Sequence, residues 1–302
     1  MPDSKPSSAG FSPETSQRIL AKACKAIGVN PDSARLLRLG ENAIFHIKDL
    51  NLVFRIARGP DVLDDARKEV AVSRWLYSVG LLAAHVADYK QPIVVDGYPV
   101  TFWEFIASSG GEATIADLAA MLKNLHSLAL PSYLNLPAMD VFGRVDARID
   151  RASDVPKTDR DFLRGRTGEL RAAYRELTFP LQPCVVHGDA HVGNLIRACD
   201  GSVHLIDFER FAFGQPEIDL ATTAVEHRIG WYTDAEYTSF VDTYGFDVTS
   251  WHGFSVLQDI SELKMTTWIM QNVSHGPEVA SEVRTRLDAL RDSAIPRHWK
   301  PF

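Results

Sequence analysis

The sequence predicts an α+β chain in two unequal parts: a small antiparallel-sheet part with one inserted helix, then a larger, mainly helical part. Three observations lead to that prediction. Residues 34–106 break into short apolar stretches separated by tight polar turns. A Gly/Ser-rich stretch follows at 108–112, and beyond it apolar residues recur at helical spacing. Inside the helical part lies a single β-like island, residues 184–207.

Taken in order, residues 1–12 are polar and rich in Ser and Pro, and read as a disordered lead. Ile19, Leu20, Ala23 and Ile27 recur at helical spacing and Gly28 stops the run, which predicts a helix over 13–27. Strands are predicted at 34–39, 43–48 and 52–57, joined by tight separators into an antiparallel meander. A helix fits 62–79, with Ala66, Val70, Ser73, Trp75 and Leu76 on its inner face and Gly80 as its stop. Extended segments at 83–89, 93–95 and 98–106 follow, the last two joined by Asp96-Gly97, a strong hairpin dipeptide. Helices are predicted at 114–127, 159–176, 218–228, 234–244, 255–273 and 277–293, and the island supplies 184–187, 194–197 and 203–207. The expected division is a first lobe at 13–107 and a second at 108–302. Unequal lobes sharing a cleft favour a ligand site there.

Composition narrows the function. The 302 residues exceed one typical domain of roughly 100–200. A net charge of -7 argues against a nucleic-acid partner, because phosphate backbones are gripped by surplus Lys and Arg. Three cysteines without CxxC spacing give neither a disulfide framework nor a zinc knuckle, and suit a reducing compartment. The lead has no apolar signal core, and no run approaches the roughly 18 apolar residues a membrane span needs. A cytoplasmic protein without a membrane partner is expected.

The chemistry concentrates in CVVHGDAHVGNLIRACDGSVHLIDFER, residues 184–210. One apolar strand delivers His187, Asp189, His191 and Asn194, and a second delivers Asp207. Phosphoryl transfer from a nucleotide needs a carboxylate to orient the attacking hydroxyl. It also needs an amide oxygen and a second carboxylate to hold Mg²⁺ against the phosphates. Asp189, Asn194 and Asp207 are those residue types in that order, and the five-residue step from Asp189 to Asn194 is the protein-kinase spacing.

HGDAHVGN followed by IDFE resembles the aminoglycoside phosphotransferase family, relatives of protein kinases that also include choline and homoserine kinases. The likeness extends from about Leu36 to Val273 and is sharp over 184–221. It implies a bilobal protein-kinase-like fold with a nucleotide-binding first lobe and an acceptor site in the second. It further implies that Asp189 is the catalytic aspartate, that Asn194 and Asp207 are Mg²⁺ ligands, and that ATP or GTP is the phosphate donor. His187 then braces the loop, and Asp219, in PEIDLA, matches the family's buried aspartate that bonds the loop backbone. His191 either touches a phosphate or packs within the loop. In the first lobe, Arg55 of LVFRIAR stands where many relatives carry Lys. Strand alternation puts Val53 and Arg55 on one face and Phe54 and Ile56 on the other, so Arg55 points into the cleft with Glu69 as its partner. Arg can clamp phosphate with two parallel hydrogen bonds, which Lys cannot; Arg58 is the lesser candidate. The resemblance also implies that the loop Leu39-Gly40-Glu41-Asn42-Ala43 covers the phosphates, without a GxGxxG pattern. By the same resemblance the strand TFWEFIAS is expected to meet adenine through the Glu104 carbonyl and the Ile106 N–H, with Trp103 flanking.

Two other readings compete. A zinc hydrolase could use His187, Asp189 and His191, but leaves Asn194, Asp207 and the Arg55/Glu69 pair without a purpose. A non-catalytic nucleotide-binding module has no need of Asp189, Asn194 and Asp207 together. Glu209 reads as a structural ion-pair partner. The aromatic residues of the last third, among them Trp231, Tyr232, Tyr237, Tyr244 and Trp268, could line an acceptor pocket but read mostly as core; Glu226, Asp234, Asp259 and Glu262 could receive cationic groups, though acids on helices usually face water. The expected activity is ATP- or GTP-dependent phosphorylation of a hydroxyl on a small molecule. An antibiotic of aminoglycoside, macrolide or nucleoside type is the first choice of acceptor, giving resistance; a primary-metabolite alcohol is the alternative.

Overall fold

The computed structural model describes residues 12–40, 42–108 and 110–301. All but the last residue of the expected disordered lead, and Glu41 of the first separator, lie outside the described residues. The chain forms two compact units. The first comprises the chain up to Glu112 together with Ile196–Glu209, and the second comprises Ala113–Leu195 together with the chain from Arg210 onward.

The first unit opens with α1 (Pro13–Ile27). Ser12 caps it by accepting from the Thr15 N–H at 3.2 Å, Pro13 fills the first turn, and Gly28 closes it in the left-handed region at φ 73°. Then come β1 (Ala34–Leu39), β2 (Asn42–Ile47), β3 (Leu52–Ala57), α2 (Leu63–Ser78), β4 (Ile93–Val95) and β5 (Tyr98–Glu104). The strands form one antiparallel sheet in the order β1-β2-β3-β5-β4. Period-2 alternation sorts β3: Leu52, Phe54 and Ile56 are buried, while Val53 and Arg55 are half-buried on the other face. The buried set joins Phe45, Ile47, Val100 and Phe102, with Ile19, Leu20, Ala23 and Cys24 of α1 completing the core. The rings of Phe54 and Phe102 meet edge to face, with centroids 4.8 Å apart. Phe54→Ala is expected to destabilise this unit by about 3–5 kcal/mol, because a fully buried ring leaves a cavity in a sheet that cannot collapse around it. Thermal melting of the variant measures that loss.

The segment expected as a strand at 83–89 is not one. It makes isolated bridges, Ala83 with Leu205 and Val86 with Trp103. The reason is Gln91. Its side-chain amide donates to the carbonyls of Ala87 (2.7 Å) and Phe102 (3.1 Å) and accepts from the Phe102 N–H (2.7 Å), so a side chain occupies a place in the ladder.

In the second unit, α3 (Ile115–His126) starts with a capping box between Thr114 and Asp117. Next are α4 (Val145–Arg151) and α5 (Lys157–Arg175), then β6 (Cys184–Val186). The chain enters the first unit through the paired strands β7 (Leu195–Arg197) and β8 (Val203–Leu205), and returns at Arg210. There β9 (Ala212–Gly214) pairs antiparallel with β6. The remainder is α6 (Glu217–Arg228), α7 (Asp234–Tyr244), α8 (Phe254–Met270) and α9 (Pro277–Arg291). α8 is the hub, touching α4, α5, α6 and α9. α4 and β9 have no counterpart in the expectation: two helical turns and three residues are too short to leave a periodic signal. Among the described residues no helix is long and apolar enough to cross a membrane.

Candidate active site

In the first unit, the site is built around Arg55. Its half-buried guanidinium is ion-paired to Glu69 of α2, which packs on the sheet face carrying Arg55. Asp207 Oδ1 lies 3.9 Å and Glu209 Oε2 3.8 Å from Arg55 Nη2. With the amide oxygen of Asn42 facing Arg55, it accepts from Nε and Nη2, each at 3.0 Å. Lys68 of α2 donates to the Glu209 carbonyl at 2.5 Å. Three carboxylates thus surround one guanidinium. Burial opposes the charge of Arg55, and Glu69, Asp207 and Glu209 together more than offset it, so its pKa is raised. Burial also pushes the Glu69 carboxyl up to about 7, against the pull of Arg55. Asp207 itself has φ 64°, the left-handed region that costs a non-glycine residue about 1–2 kcal/mol. Strain of this kind, on a carboxylate whose side chain is 44% exposed, is characteristic of functional positions.

The end of β5 also lies in this unit. Phe105 gives its N–H to the Asn51 carbonyl (2.9 Å), and its carbonyl accepts from the Asn51 side chain (3.5 Å). Groups of an extended chain alternate in direction, so the Glu104 carbonyl and Ile106 N–H face the opposite edge, where the Glu104 N–H meets the His85 carbonyl at 2.9 Å. His46 stacks on Phe105 with centroids 3.8 Å apart, a contact without a local signature in the sequence. Trp103 is buried against Phe208, at 5.9 Å between centroids. Gly40 donates to the Asn42 carbonyl at 3.0 Å and has an ordinary φ. Arg58 is exposed.

In the second unit the centre is Asp219 on α6, fully buried. Its two oxygens accept the backbone N–H groups of His187 (2.7 Å) and Gly188 (2.8 Å), which fixes the start of the loop after β6. Gly188 is required there: its φ is 78°, and a Cβ would sit 2.5 Å from the Arg210 carbonyl oxygen. His126 of α3 bonds Asp219 Oδ2 through Nε2 (3.0 Å) and the Tyr244 hydroxyl through Nδ1 (2.9 Å). Burial works against the Asp219 charge, but His126 and the loop amides hold its pKa below the usual range. The sequence left one trace of His126, a polar residue on the buried face of α3 beside Leu122 and Leu125.

Asp189 projects from this fixed loop with its side chain 54% exposed. His191 Nδ1 accepts from the Gly193 N–H at 3.1 Å and its carbonyl from the Asn194 N–H at 2.9 Å, so His191 shapes the loop. Asn194 is buried and donates from Nδ2 to the Asp189 carbonyl at 2.8 Å. Oxygen donors from an amide and a carboxylate, as in Asn194 and Asp207, suit a hard divalent cation. His187 is buried against Phe211. Among the described residues no three His, Cys, Asp or Glu side chains converge to hold a metal, so the zinc-hydrolase reading has no site.

Two of the acids expected to face solvent do not. Glu262 is buried and bonded to Gln258 (2.7 Å) and Arg297 (3.2 Å). Glu226 is also buried; burial, then the charge of Asp189, pushes its carboxyl up to about 8. A folded pKa raised from 4.5 means stability is greatest at acid pH and falls as pH climbs through 8, by roughly a few kcal/mol. Glu226→Gln is expected to flatten that fall, so melting temperatures of variant and parent should diverge as pH rises from 4.5 to about 8 and keep a constant offset above it.

Comparison with known proteins fixes the family. The model of the phosphotransferase enzyme family matches residues 35–254. The chain belongs to that family. As a phosphotransferase it acts on a hydroxyl of a small molecule. Its fold is the kinase-like one of several solved structures. The amicoumacin kinase hAmiN, in complex with AMP-PNP, Ca²⁺ and Ami, has a TM-score of 0.70 at 13% identity, covering 94% of this phosphotransferase and 95% of the kinase. A microcompartment-associated aminopropanol kinase has a TM-score of 0.70 at 17% identity, covering 90% and 95%. The choline kinase LicA from Streptococcus pneumoniae has a TM-score of 0.61 at 16% identity, covering 91% and 98%. None of the curated proteins compared with this phosphotransferase matches it.

Proposed function

We propose that this phosphotransferase moves the γ-phosphoryl group of ATP or GTP to a hydroxyl of a small molecule, with Asp189 orienting that hydroxyl and accepting its proton. The observation that carries the reading is the Asp189 loop: a half-exposed carboxylate on a backbone pinned by Asp219, with the Asn194 amide nitrogen tied to the Asp189 carbonyl. Asn194 and Asp207 hold Mg²⁺, which when bound neutralises phosphate charge. Arg55, set by Glu69 and Asn42, contacts the nucleotide phosphates, and the Glu104 carbonyl and Ile106 N–H receive adenine or guanine. His187, His191 and Asp219 support the loop. Most of the rate comes from positioning and charge neutralisation, because a loose transition state asks little of the base.

The acceptor proposed first is an antibiotic, and the likeness to an amicoumacin kinase supports it. The equal likeness to an aminopropanol kinase supports a primary-metabolite alcohol as the second reading. A nucleotide-consumption assay over hydroxylated antibiotics and amino alcohols tests both. Lack of nucleotide turnover with every acceptor, in the presence of Mg²⁺, would leave only the non-catalytic module. Arg55→Ala is expected to raise the KM for nucleotide at least about tenfold, the loss of one charge-assisted contact. Arg55→Lys should recover only part of it, since an ammonium cannot reproduce the fork. Steady-state kinetics with varied nucleotide measures both.

A further inference from the structure

Two neighbouring charges on α2 take different partners. Glu69 is buried and holds Arg55 of β3. Lys68, one step round the helix, reaches 141 residues along the chain and donates to the backbone carbonyl of Glu209 at 2.5 Å. Its other contact is Asp65, one turn back on α2, at 3.6 Å. The Lys68 side chain is 15% exposed and that of Asp65 44%, so the ammonium is directed at the carbonyl rather than at the solvent-facing carboxylate. A pair at the surface of one helix contributes little, whereas a charge-assisted bond to a backbone carbonyl fixes a peptide plane.

That peptide closes the turn that carries Asp207. A non-glycine residue at φ 64° stays there only where its surroundings over-determine it. Ahead of Asp207, fully buried Leu205 gives its N–H to the Leu82 carbonyl (3.1 Å) and accepts the Ala84 N–H (2.8 Å). Behind it, Phe208 is fully buried against Trp103. The last hold is on Glu209, through Lys68 at its carbonyl and Arg55 Nη2 at 3.8 Å from its carboxylate. The Glu209 N–H lies 3.4 Å from Asp207 Oδ1, the oxygen that stands 3.9 Å from Arg55 Nη2. Moving Glu209 therefore moves the Asp207 carboxylate. The contacts form a closed circuit: Lys68 to Glu209, Glu209 to Arg55, Arg55 to Glu69, and Glu69 back to Lys68 along α2.

We propose that Lys68 is a positioning residue for the divalent cation: by holding the Glu209 carbonyl it sets the direction of the Asp207 carboxylate. This rests on the reading of Asp207 as a metal ligand. α2 then serves both charges of a metal-bound nucleotide, the phosphates through Glu69 and Arg55 and the cation through Lys68. The bond needs a donor at the reach of a lysine stem. Arginine supplies that, methionine keeps the stem without the donor, and glutamine keeps a donor that falls short of the carbonyl.

Binding of Mn²⁺ by the whole chain tests this, followed by electron paramagnetic resonance in the presence of AMP-PNP or GMP-PNP. Lys68→Met should raise the Kd for Mn²⁺ at least about tenfold, the usual effect of losing a group that orients a metal ligand. Lys68→Arg, and Asp65→Asn, which loses only the pair within α2, should stay within about threefold of the parent. Calorimetric nucleotide binding in EDTA should be unchanged in Lys68→Met and weakened in Arg55→Ala, which separates the metal from the phosphates. Parental Mn²⁺ affinity in Lys68→Met, or an equal loss in Asp65→Asn, overturns the inference. Asp207→Ala is the control on the underlying reading. Weak Mn²⁺ binding there beside parental binding in Lys68→Met removes the role of Lys68 alone. Parental binding in Asp207→Ala removes the metal reading and this inference with it. Melting temperatures report on folding, and should Lys68→Met not fold, Lys68→Gln carries the same prediction. If both variants lose metal binding and metal-free nucleotide binding together, Lys68 serves the fold and the inference is overturned.

Discussion

Asp189→Asn is expected to lower kcat by about 10³-fold while leaving nucleotide affinity within about threefold of the parent. The asymmetry follows from where the side chain sits. Asp189 is half-exposed, and its loop is fixed by bonds to the backbone of its neighbours rather than by its own carboxylate. Removing the charge therefore leaves the loop in place and takes away the group proposed to orient the hydroxyl and accept its proton. The melting temperature should hardly move. Near-normal turnover in this variant would sink the assignment of Asp189 as base. A matching loss of nucleotide binding would count against it equally, because it would mean the residue serves the fold of the loop.

Asp219→Ala is expected to be the most damaging single change to the second unit, with a stability loss of about 3–5 kcal/mol and a large fall in kcat/KM. Alanine leaves the N–H groups of His187 and Gly188 without their acceptor and His126 without its carboxylate, all inside the protein. Asp219→Asn keeps one accepting oxygen and should lie between parent and alanine. His126→Ala removes only the side of the network remote from the loop, so its cost should be smaller and fall mainly on stability. Thermal melting and steady-state kinetics on the three variants separate the contributions. Equal effects of all three on stability with no change in kcat/KM would mean that this network does not set the loop for catalysis.

The residues show how far one sequence reaches. That Arg55 and Glu69 share one sheet face followed from the two-residue period of β3 and the helical spacing of α2, both local rules. The same rules placed Phe54 and Ile56 in the core. The grip of Asp219 on the loop was legible only through the family likeness, since nothing in PEIDLA announces burial. The strand expected at 83–89 fails because a single side chain, Gln91, takes backbone places in the ladder. Periodicity does not register that kind of substitution.

Charges were harder still. Acids on helices usually face solvent, and that is the expectation for Glu226 and Glu262. Their burial depends on α8, which is enclosed by α4, α5, α6 and α9, and no window of sequence contains that enclosure. His126 meets Asp219 across 93 residues of chain.

The sequence by itself carried the pattern on which the proposed chemistry rests: the order Asp189, Asn194, Asp207 and the Arg55 strand are short-range patterns. Only the tertiary structure decided which charged groups lie buried around Asp189 and which lack a partner. Burial and pairing depend on distant elements meeting, and those meetings leave almost no local trace.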